Sequence, residues 1–212
     1  MKKLLFVATL VGISGLVHAT TINAPSSLIG TSVLNGNNAY SWGISIAVPS
    51  GQSVVSAQID FTGIVLTAGN GTGTDYLYTD LLNSTMTGTG GVTTRTDGDA
   101  AGDYWATQFS GGNIANLGSR LFSTVNGTPQ SWSYAITGSA LTALQTYLAA
   151  GTFNIGIDPD CRFTVGGLSF TYSLSPGAPT VPDGTTTALL MVLGLAGLEL
   201  FRRQFVLARC KA

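Results

Sequence analysis

Apolar and polar side chains alternate along much of this chain with the two-residue period of a β-strand that buries one face. Residues 40–48 and 55–61 alternate in this way on either side of the turn sequence Pro49-Ser50-Gly51, so we expect them to form a hairpin. The same pattern predicts six further strands, at residues 75–82, 103–109, 120–125, 130–137, 152–158 and 163–174. These strands and their turns predict an all-β fold, an antiparallel β-sandwich of jelly-roll or lectin-like kind.

One segment between the strands has the longer period of a helix. Ser139 precedes it as a candidate N-cap, and Leu141, Leu144 and Leu148 recur on one side of it. Gly151 follows, and glycine commonly ends helices because it adopts the left-handed conformation without steric cost. We therefore expect one short helix, which covers an end of the sandwich.

Two continuous apolar stretches bracket the alternating region. Residues 1–19 have the form of a secretory signal peptide, with Lys2-Lys3 before an apolar stretch and Val17-His18-Ala19 as the cleavage site. Residues 188–201 form a second apolar stretch, and the arginines that follow it hold that end of a membrane span in the cytoplasm. The predicted order is an exported domain at 20–179, a linker at 180–187, a transmembrane helix at 188–201 and a basic tail at 202–212.

The sequence that follows the exported domain resembles a known sorting signal. Four motif residues precede the second apolar stretch and an arginine pair follows it: Val181, Pro182, Asp183, Gly184, Arg202 and Arg203. This order of parts is similar to the PEP-CTERM signals, most closely to their VPDSG-type variant, over residues 181–205. The resemblance implies that exosortase, a membrane peptidase, recognises the proline motif in a membrane-anchored precursor and removes the tail. The alternative is a plain membrane anchor without cleavage.

The charges of the exported domain limit its partners. The domain holds eight aspartates and three arginines but no Lys, Glu or His, so its formal charge is 3 minus 8, or −5. It lacks the basic surface that nucleic acids require, and we expect no nucleic-acid partner. Cys161 is its only cysteine, since Cys210 follows the second apolar stretch, so no internal disulfide can form. We expect Cys161 to be buried as a small hydrophobe.

The same residue types limit catalysis. Ser-His-Asp, Cys-His and Ser-Lys sites need a His or a Lys that the exported domain lacks, and zinc sites with His ligands are excluded for the same reason. A pair of aspartates, as in some glycosidases, is the arrangement that remains. We therefore expect a protein without enzymatic activity, and an aspartate-based glycan hydrolase or lyase is the third alternative for its function.

The sequence Asp158-Pro159-Asp160 lies at a predicted turn between the last two strands. Two carboxylates one residue apart on a proline turn suit a hard cation such as calcium, which takes about six to eight oxygen ligands. Further aspartates are candidates for the remaining ligands: Asp75, Asp97, Asp99 and Asp103. The alternative is that Asp158 and Asp160 stabilise the turn and pair with Arg162.

Aromatic residues offer a second kind of binding surface, because sugar rings stack on aromatic faces and their hydroxyls suit carboxylates. Most aromatic residues of the predicted strands are better explained as core residues. Tyr76, Tyr78 and Asp80 share one face of a predicted strand, and they are the candidates for a glycan-binding surface.

These features predict an exported structural or adhesive protein of the cell surface or extracellular matrix. We expect it to be sorted by an exosortase-type peptidase and associated with exopolysaccharide. The second alternative is a lectin-like carbohydrate-binding module, with or without calcium. An exposed aromatic row beside carboxylates favours the lectin-like module, whereas two aspartates across an open cleft favour the hydrolase.

Overall fold

The structure of the chain is a computed structural model. The described residues are 19–30, 32–69, 75–83, 91–98, 102–109, 113–125, 127–176 and 191. By its internal contacts the chain divides into two units, Met1–Pro176 and Gly177–Ala212. Every strand and helix given below belongs to the first unit, and Met191 alone of the second unit is described.

The predicted signal peptide, sorting motif and membrane anchor lie almost wholly outside the described residues. Residues 1–18, the motif at 181–184 and the arginine pair at 202–203 are all outside them. Where the structure is described, no helix combines the length and the hydrophobicity that crossing a membrane requires. The sorting signal stays a prediction from the sequence.

The first sheet is built around one long strand. Its six strands are β1 Ala19–Asn23, β2 Val33–Leu34, β4 Val54–Ala68, β8 Gln130–Ile136, β10 Arg162–Thr164 and β11 Gly167–Leu174. β4 pairs antiparallel with β11 and then with β10, which follow one another along one of its edges, and with β8 along the other. β1 pairs with β11, and β2 pairs with β10.

The second sheet has five strands, which are all antiparallel. They are β3 Asn38–Ser45, β5 Asp75–Asn83, β6 Val92–Thr96, β7 Ile114–Phe122 and β9 Thr152–Pro159, in the spatial order β6-β3-β9-β5-β7. β9 is the central strand, and its Ile157 lies opposite Tyr40 of β3 on one side and Thr79 of β5 on the other.

The hydrophobic core lies between the two sheets. Phe153 of β9 packs against Phe170 of β11 with ring centroids 5.1 Å apart, and Phe122 of β7 packs against Phe163 of β10 at 5.0 Å. Because side chains alternate along a strand, the core-facing Phe153, Ile155 and Ile157 leave Asn154, Gly156 and Asp158 on the outer face of the second sheet. The prediction of an all-β, antiparallel sandwich is confirmed.

The predicted helix forms as α2, Gly138–Leu148, and packs against β4 of one sheet and β5, β7 and β9 of the other. Leu144 and Leu148 are buried, and Leu141 is half-buried. The predicted Ser139 cap is wrong, because Thr137 occupies the N-cap position and makes no side-chain capping bond. Gly151 follows the helix with a φ of +88°, which is the left-handed conformation expected of a residue that ends a helix.

Two predictions about the strands are wrong. The expected hairpin of residues 40–48 and 55–61 does not form, because β3 and β4 belong to different sheets. The expected strand at 103–109 is instead a short helix, α1 Tyr104–Gln108, with Asp103 as its N-cap. The Asp103 carboxylate accepts a hydrogen bond from the Ala106 N–H at 3.1 Å, which favours a helical turn over an extended strand.

Candidate functional site

The outer face of the second sheet carries a small hydrophobic core of its own. Trp105 of α1 lies on Gly156 of β9, where an added Cβ would come within 2.8 Å of the indole Cδ1. Ala39 and Leu82 pack against the same indole, which is 1 % exposed. The missing side chain at Gly156 therefore provides the space in which α1 sits on the sheet.

Five aspartates gather beside this contact, and we call them the acidic cluster: Asp80, Asp97, Asp103, Asp158 and Asp160. The alternation of the strands places Asp80 and Asp158 on the outer face, since their neighbours Leu81 and Ile157 face the core. Asp158 lies opposite Tyr78 in the pairing of β9 with β5, and Asp80 lies opposite Gly156. Asp103 comes from the segment that leads into α1.

Backbone N–H groups of the segment before and within α1 bind three of these carboxylates. The Tyr104 N–H donates to Asp158 Oδ2 at 2.7 Å, and the Ala106 N–H donates to Asp103 Oδ1. The Gly102 N–H donates to the Asp160 carboxylate. Asp103 Oδ2 also accepts from the Asn116 side-chain amide at 3.0 Å. The acidic cluster thus fastens α1 to β7, β9 and the turn that follows β9.

Asp80 is fully buried, as Asp158 is, but among the described residues its carboxylate receives no hydrogen bond from a backbone N–H, an amide or a hydroxyl group. The pKa of Asp80 is raised to about 9, mainly by burial and in addition by the charge of Asp103, a hydrogen bond with Asp103 and the charge of Asp158. Two ionised carboxylates have no donor between them, so the Asp80–Asp103 hydrogen bond requires a proton. Asp80 therefore needs either a proton or a cation.

Asp158 and Asp160 show the same effect of nearby negative charge. Burial raises the pKa of Asp158 to about 7; the Tyr104 N–H opposes this, while Asp97, Asp103 and Asp160 add to it. Burial likewise raises the pKa of Asp160 to about 6, against the N–H groups of Gly102 and Tyr76. Carboxylates that raise one another's pKa values are a favourable environment for positive charge.

The predicted calcium ligands fall into two groups in the structure. Asp158 and Asp160 lie at the end of β9 and just after it, with Asp97 and Asp103 as their neighbours. The alternative pairing with Arg162 is not what holds Asp158, since its Oδ2 binds the Tyr104 N–H. As they stand, no three His, Cys, Asp or Glu side chains among the described residues are arranged to hold a metal ion. Asp99 lies outside the described residues.

Asp75, another predicted ligand, makes a different contact. Its Oδ1 accepts a hydrogen bond from the Cys161 thiol at 2.6 Å, and both residues are buried. Asp75 is opposite Phe122 in the pairing of β5 with β7, and Phe122 belongs to the core between the sheets. The prediction that Cys161 is buried is confirmed, and its thiol also serves as a donor to a buried carboxylate.

The predicted glycan-binding residues are separated by their exposure. The rings of Tyr76 and Tyr78 lie side by side and half-buried, with centroids 5.6 Å apart and an interplanar angle of 31°. Asp80 is fully buried, so it does not share this surface. Trp42 and Trp105 are buried as well, and Trp132 stacks on Phe61 of the core.

The acidic cluster does not line an open cleft. Asp80 and Asp158 are both 0 % exposed. A surface groove of about 250 Å³ reaches the cluster at Asp160, next to Gly36 and Arg162. Two larger grooves, of about 410 and 300 Å³, are lined by residues of β4, α2, β8 and β11 and lie away from the cluster. A substrate therefore has no direct access to a pair of aspartates here.

Comparison with known proteins does not identify a family. No family model matches the chain, and no curated protein matches it significantly.

The raised pKa values predict that stability falls as the pH rises in the absence of cations. The folded-state pKa of Asp80 is about 9 against an ordinary 3.8, so between these values the folded chain binds more protons than the unfolded chain. This stability is fully present below about pH 4 and is lost as the pH approaches 9. We expect the Tm of the full chain in chelator to fall from about pH 6 to about pH 9, where ordinary carboxylates are ionised in both states.

Calorimetry of the Asp80→Asn variant tests whether Asp80 causes this fall of Tm with rising pH. In chelator the variant should be more stable than the wild type at about pH 8, because an amide needs no proton to stay neutral. Its Tm should change much less with pH than the Tm of the wild type does. Asp60→Asn is the control, since Asp60 lies on the first sheet and already accepts hydrogen bonds from Gln58 and Ser133. A wild-type Tm that rises over this range contradicts the prediction.

Gly156→Ala should detach α1 from the sheet. The new methyl group meets the rigid Trp105 ring, and overpacking of this kind costs about 1–3 kcal/mol of unfolding free energy. Gly91→Ala is a matched control, because its Cβ would meet nothing within 4 Å and it should be neutral or slightly stabilising. Denaturant unfolding measures both, and hydrogen exchange at the Tyr104 amide reports α1 directly. Equal effects of the two substitutions would argue against the packing of Trp105 on Gly156.

Proposed function

We propose that this chain is an exported, non-catalytic adhesive protein of the cell surface or extracellular matrix, whose sandwich binds polysaccharide. The observation that carries the proposal is the Tyr76–Tyr78 pair, two adjacent half-exposed rings beside the acidic cluster. Paired aromatic faces suit the apolar faces of successive sugar rings, and nearby carboxylates suit their hydroxyls. A jelly-roll or lectin-like form of the sandwich is part of this proposal.

The charge of the exported domain favours a neutral polysaccharide. Its formal charge is −5, and Tyr78 lies close enough to Asp103, Asp158 and Asp160 that their charges help burial to raise its pKa to about 12. An acidic polysaccharide would be repelled by these carboxylates unless cations neutralised them. We therefore place neutral glycans first among the ligands.

Hydrolysis by an aspartate pair is the weaker alternative. Glycosidases place two carboxylates on either side of a bond in an accessible cleft, about 5–9.5 Å apart. Asp80 and Asp158 are fully buried beneath α1, and the exported domain has no His, Lys or Glu to act as another acid or base. Binding without catalysis is the function that agrees with this burial.

Export and sorting complete the proposal. They rest on the signal-peptide pattern at residues 1–19 and on the resemblance of residues 181–205 to PEP-CTERM signals. In this proposal an exosortase-type peptidase processes a membrane-anchored precursor and releases the sandwich to the surface or to the exopolysaccharide.

Co-sedimentation with insoluble cellulose, and gel retardation in dextran and alginate, test the proposed binding surface. We expect the full chain, kept in mild detergent, to bind a neutral polysaccharide. Tyr76→Ala with Tyr78→Ala should weaken binding at least about tenfold, which corresponds to about 1.4 kcal/mol. Tyr172→Ser is the matched control, because Tyr172 is a half-buried tyrosine of the first sheet. Retention of binding by the double variant would refute the tyrosine surface.

Intact-mass analysis of the mature protein tests the sorting signal. In a cell that has an exosortase-type peptidase, we expect a product that lacks the apolar stretch at 188–201 and the arginines after it. Pro182→Ala should leave the tail attached, whereas Pro179→Ala, outside the motif, should not. A mature protein that keeps residues 188–212 in the wild type would favour the plain membrane anchor.

A further inference from the structure

We propose that Asp80, Asp103 and Asp158 bind a calcium ion beneath α1. The carboxylate of Asp80 is fully buried, and among the described residues its one hydrogen-bonding neighbour is another carboxylate, that of Asp103. Asp158 adds a further buried oxygen, Oδ1, that lacks a hydrogen-bond partner. Leaving such atoms without partners in a protein interior is unfavourable, and most unfavourable for charged groups. These oxygens are therefore available to a ligand that supplies positive charge.

The exported domain has no positive charge of its own to give to this site. Its cations are three arginines and no lysine or histidine. Arg95 and Arg162 are exposed, and Arg120 donates to the Gln130 side chain at 3.4 Å. The charged groups that act on Asp80 are Asp103 and Asp158, which are of the same sign. The positive charge must therefore come from outside this domain.

The available donor atoms select a hard cation. The three side chains offer carboxylate oxygens, without a thiolate or an imidazole, and such ligands suit calcium or magnesium rather than zinc or copper. Magnesium keeps most of its water and demands a regular octahedron, whereas calcium accepts irregular sets of about six to eight oxygens. A buried site with unevenly spaced carboxylates, completed by water and carbonyl oxygens, fits calcium better.

In this site Asp80, and not Asp160 as predicted from the sequence, is the second calcium ligand beside Asp158. The Asp160 carboxylate already receives backbone N–H groups of Gly102 and Tyr76, whereas Asp80 receives none. The carboxylates are not closed around one point as they stand among the described residues. Binding therefore requires the carboxylates of Asp80 and Asp158 to turn towards Asp103, with Asp158 keeping Oδ2 on the Tyr104 N–H and presenting Oδ1 to the ion.

The site couples the ion to the position of α1. Asp103 is the N-cap of α1, and Asp158 accepts the Tyr104 N–H, so two of the three ligands also hold the helix. An ion between them and Asp80 would fix α1 and Trp105 on the outer face of β9 and β5. This inference does not depend on polysaccharide binding, and either proposal can fail without the other.

Calorimetric titration of the full chain with CaCl₂ in mild detergent tests the site. We expect one ion per chain and a Tm that rises with calcium. Asp80→Asn and Asp158→Asn should each weaken calcium binding at least about tenfold, and Asp160→Asn should weaken it less. Asp60→Asn, a carboxylate of the first sheet, should bind as the wild type does. Absence of binding at millimolar calcium, or wild-type affinity in Asp80→Asn, would overturn the proposal.

Two further measurements separate loss of the site from loss of the fold. Asp80→Asn should be at least as stable as the wild type in chelator and yet gain no Tm from calcium, which a merely unfolded variant cannot do. Terbium, a luminescent substitute for calcium, should be sensitised by excitation in the tryptophan band. At a terbium concentration that saturates each protein, Trp105→Phe should lose most of this luminescence. Full luminescence in Trp105→Phe would place the ion elsewhere.

Discussion

Trp105 can pack against the second sheet because Gly156 has no side chain, and the arrangement of the acidic side of the domain depends on this contact. It brings α1 down onto β9, and α1 brings Asp103 and the Tyr104 N–H to the carboxylates of the sheet. Without the helix, Asp80 and Asp158 would be exposed carboxylates on an outer sheet face, with ordinary hydration. The burial of these carboxylates, and their need for a proton or a cation, follow from the packing of Trp105 against Gly156.

The two faces of the second sheet have different roles, although the same strands form both. The core-facing side chains of β5 and β9 pack against the first sheet, whereas the outer-facing ones supply the acidic cluster and the tyrosine pair. Tyr78 lies directly opposite Asp158, so the proposed sugar platform and the proposed ion site are neighbours on one face. A shift of one residue in the register of β5 would exchange these faces, so the strong core positions also fix the site.

The sequence predicted most strands and part of the site. Strands β5, β8 and β9 lie close to their predicted positions, because alternation identifies a strand that buries one face. Alternation does not show which strands pair with each other, so the predicted hairpin of β3 and β4 was wrong. The five residues of α1 are too few to show a helical period, although Asp103 as an N-cap was a usable signal. Asp80 was misplaced because its burial depends on a helix from a distant segment.

The order of the strands along the chain constrains when the domain can fold. β3 pairs with β9, and β4 pairs with β11, so each early strand has its main partner more than 100 residues later. β9 is the centre of the second sheet, and β11 covers one edge of β4. Contacts of this range form slowly, because the intervening chain must first be ordered. The strands before β9 therefore keep unpaired edges until the last quarter of the domain has been synthesised. During that time β3 and β4 can pair with the wrong partners.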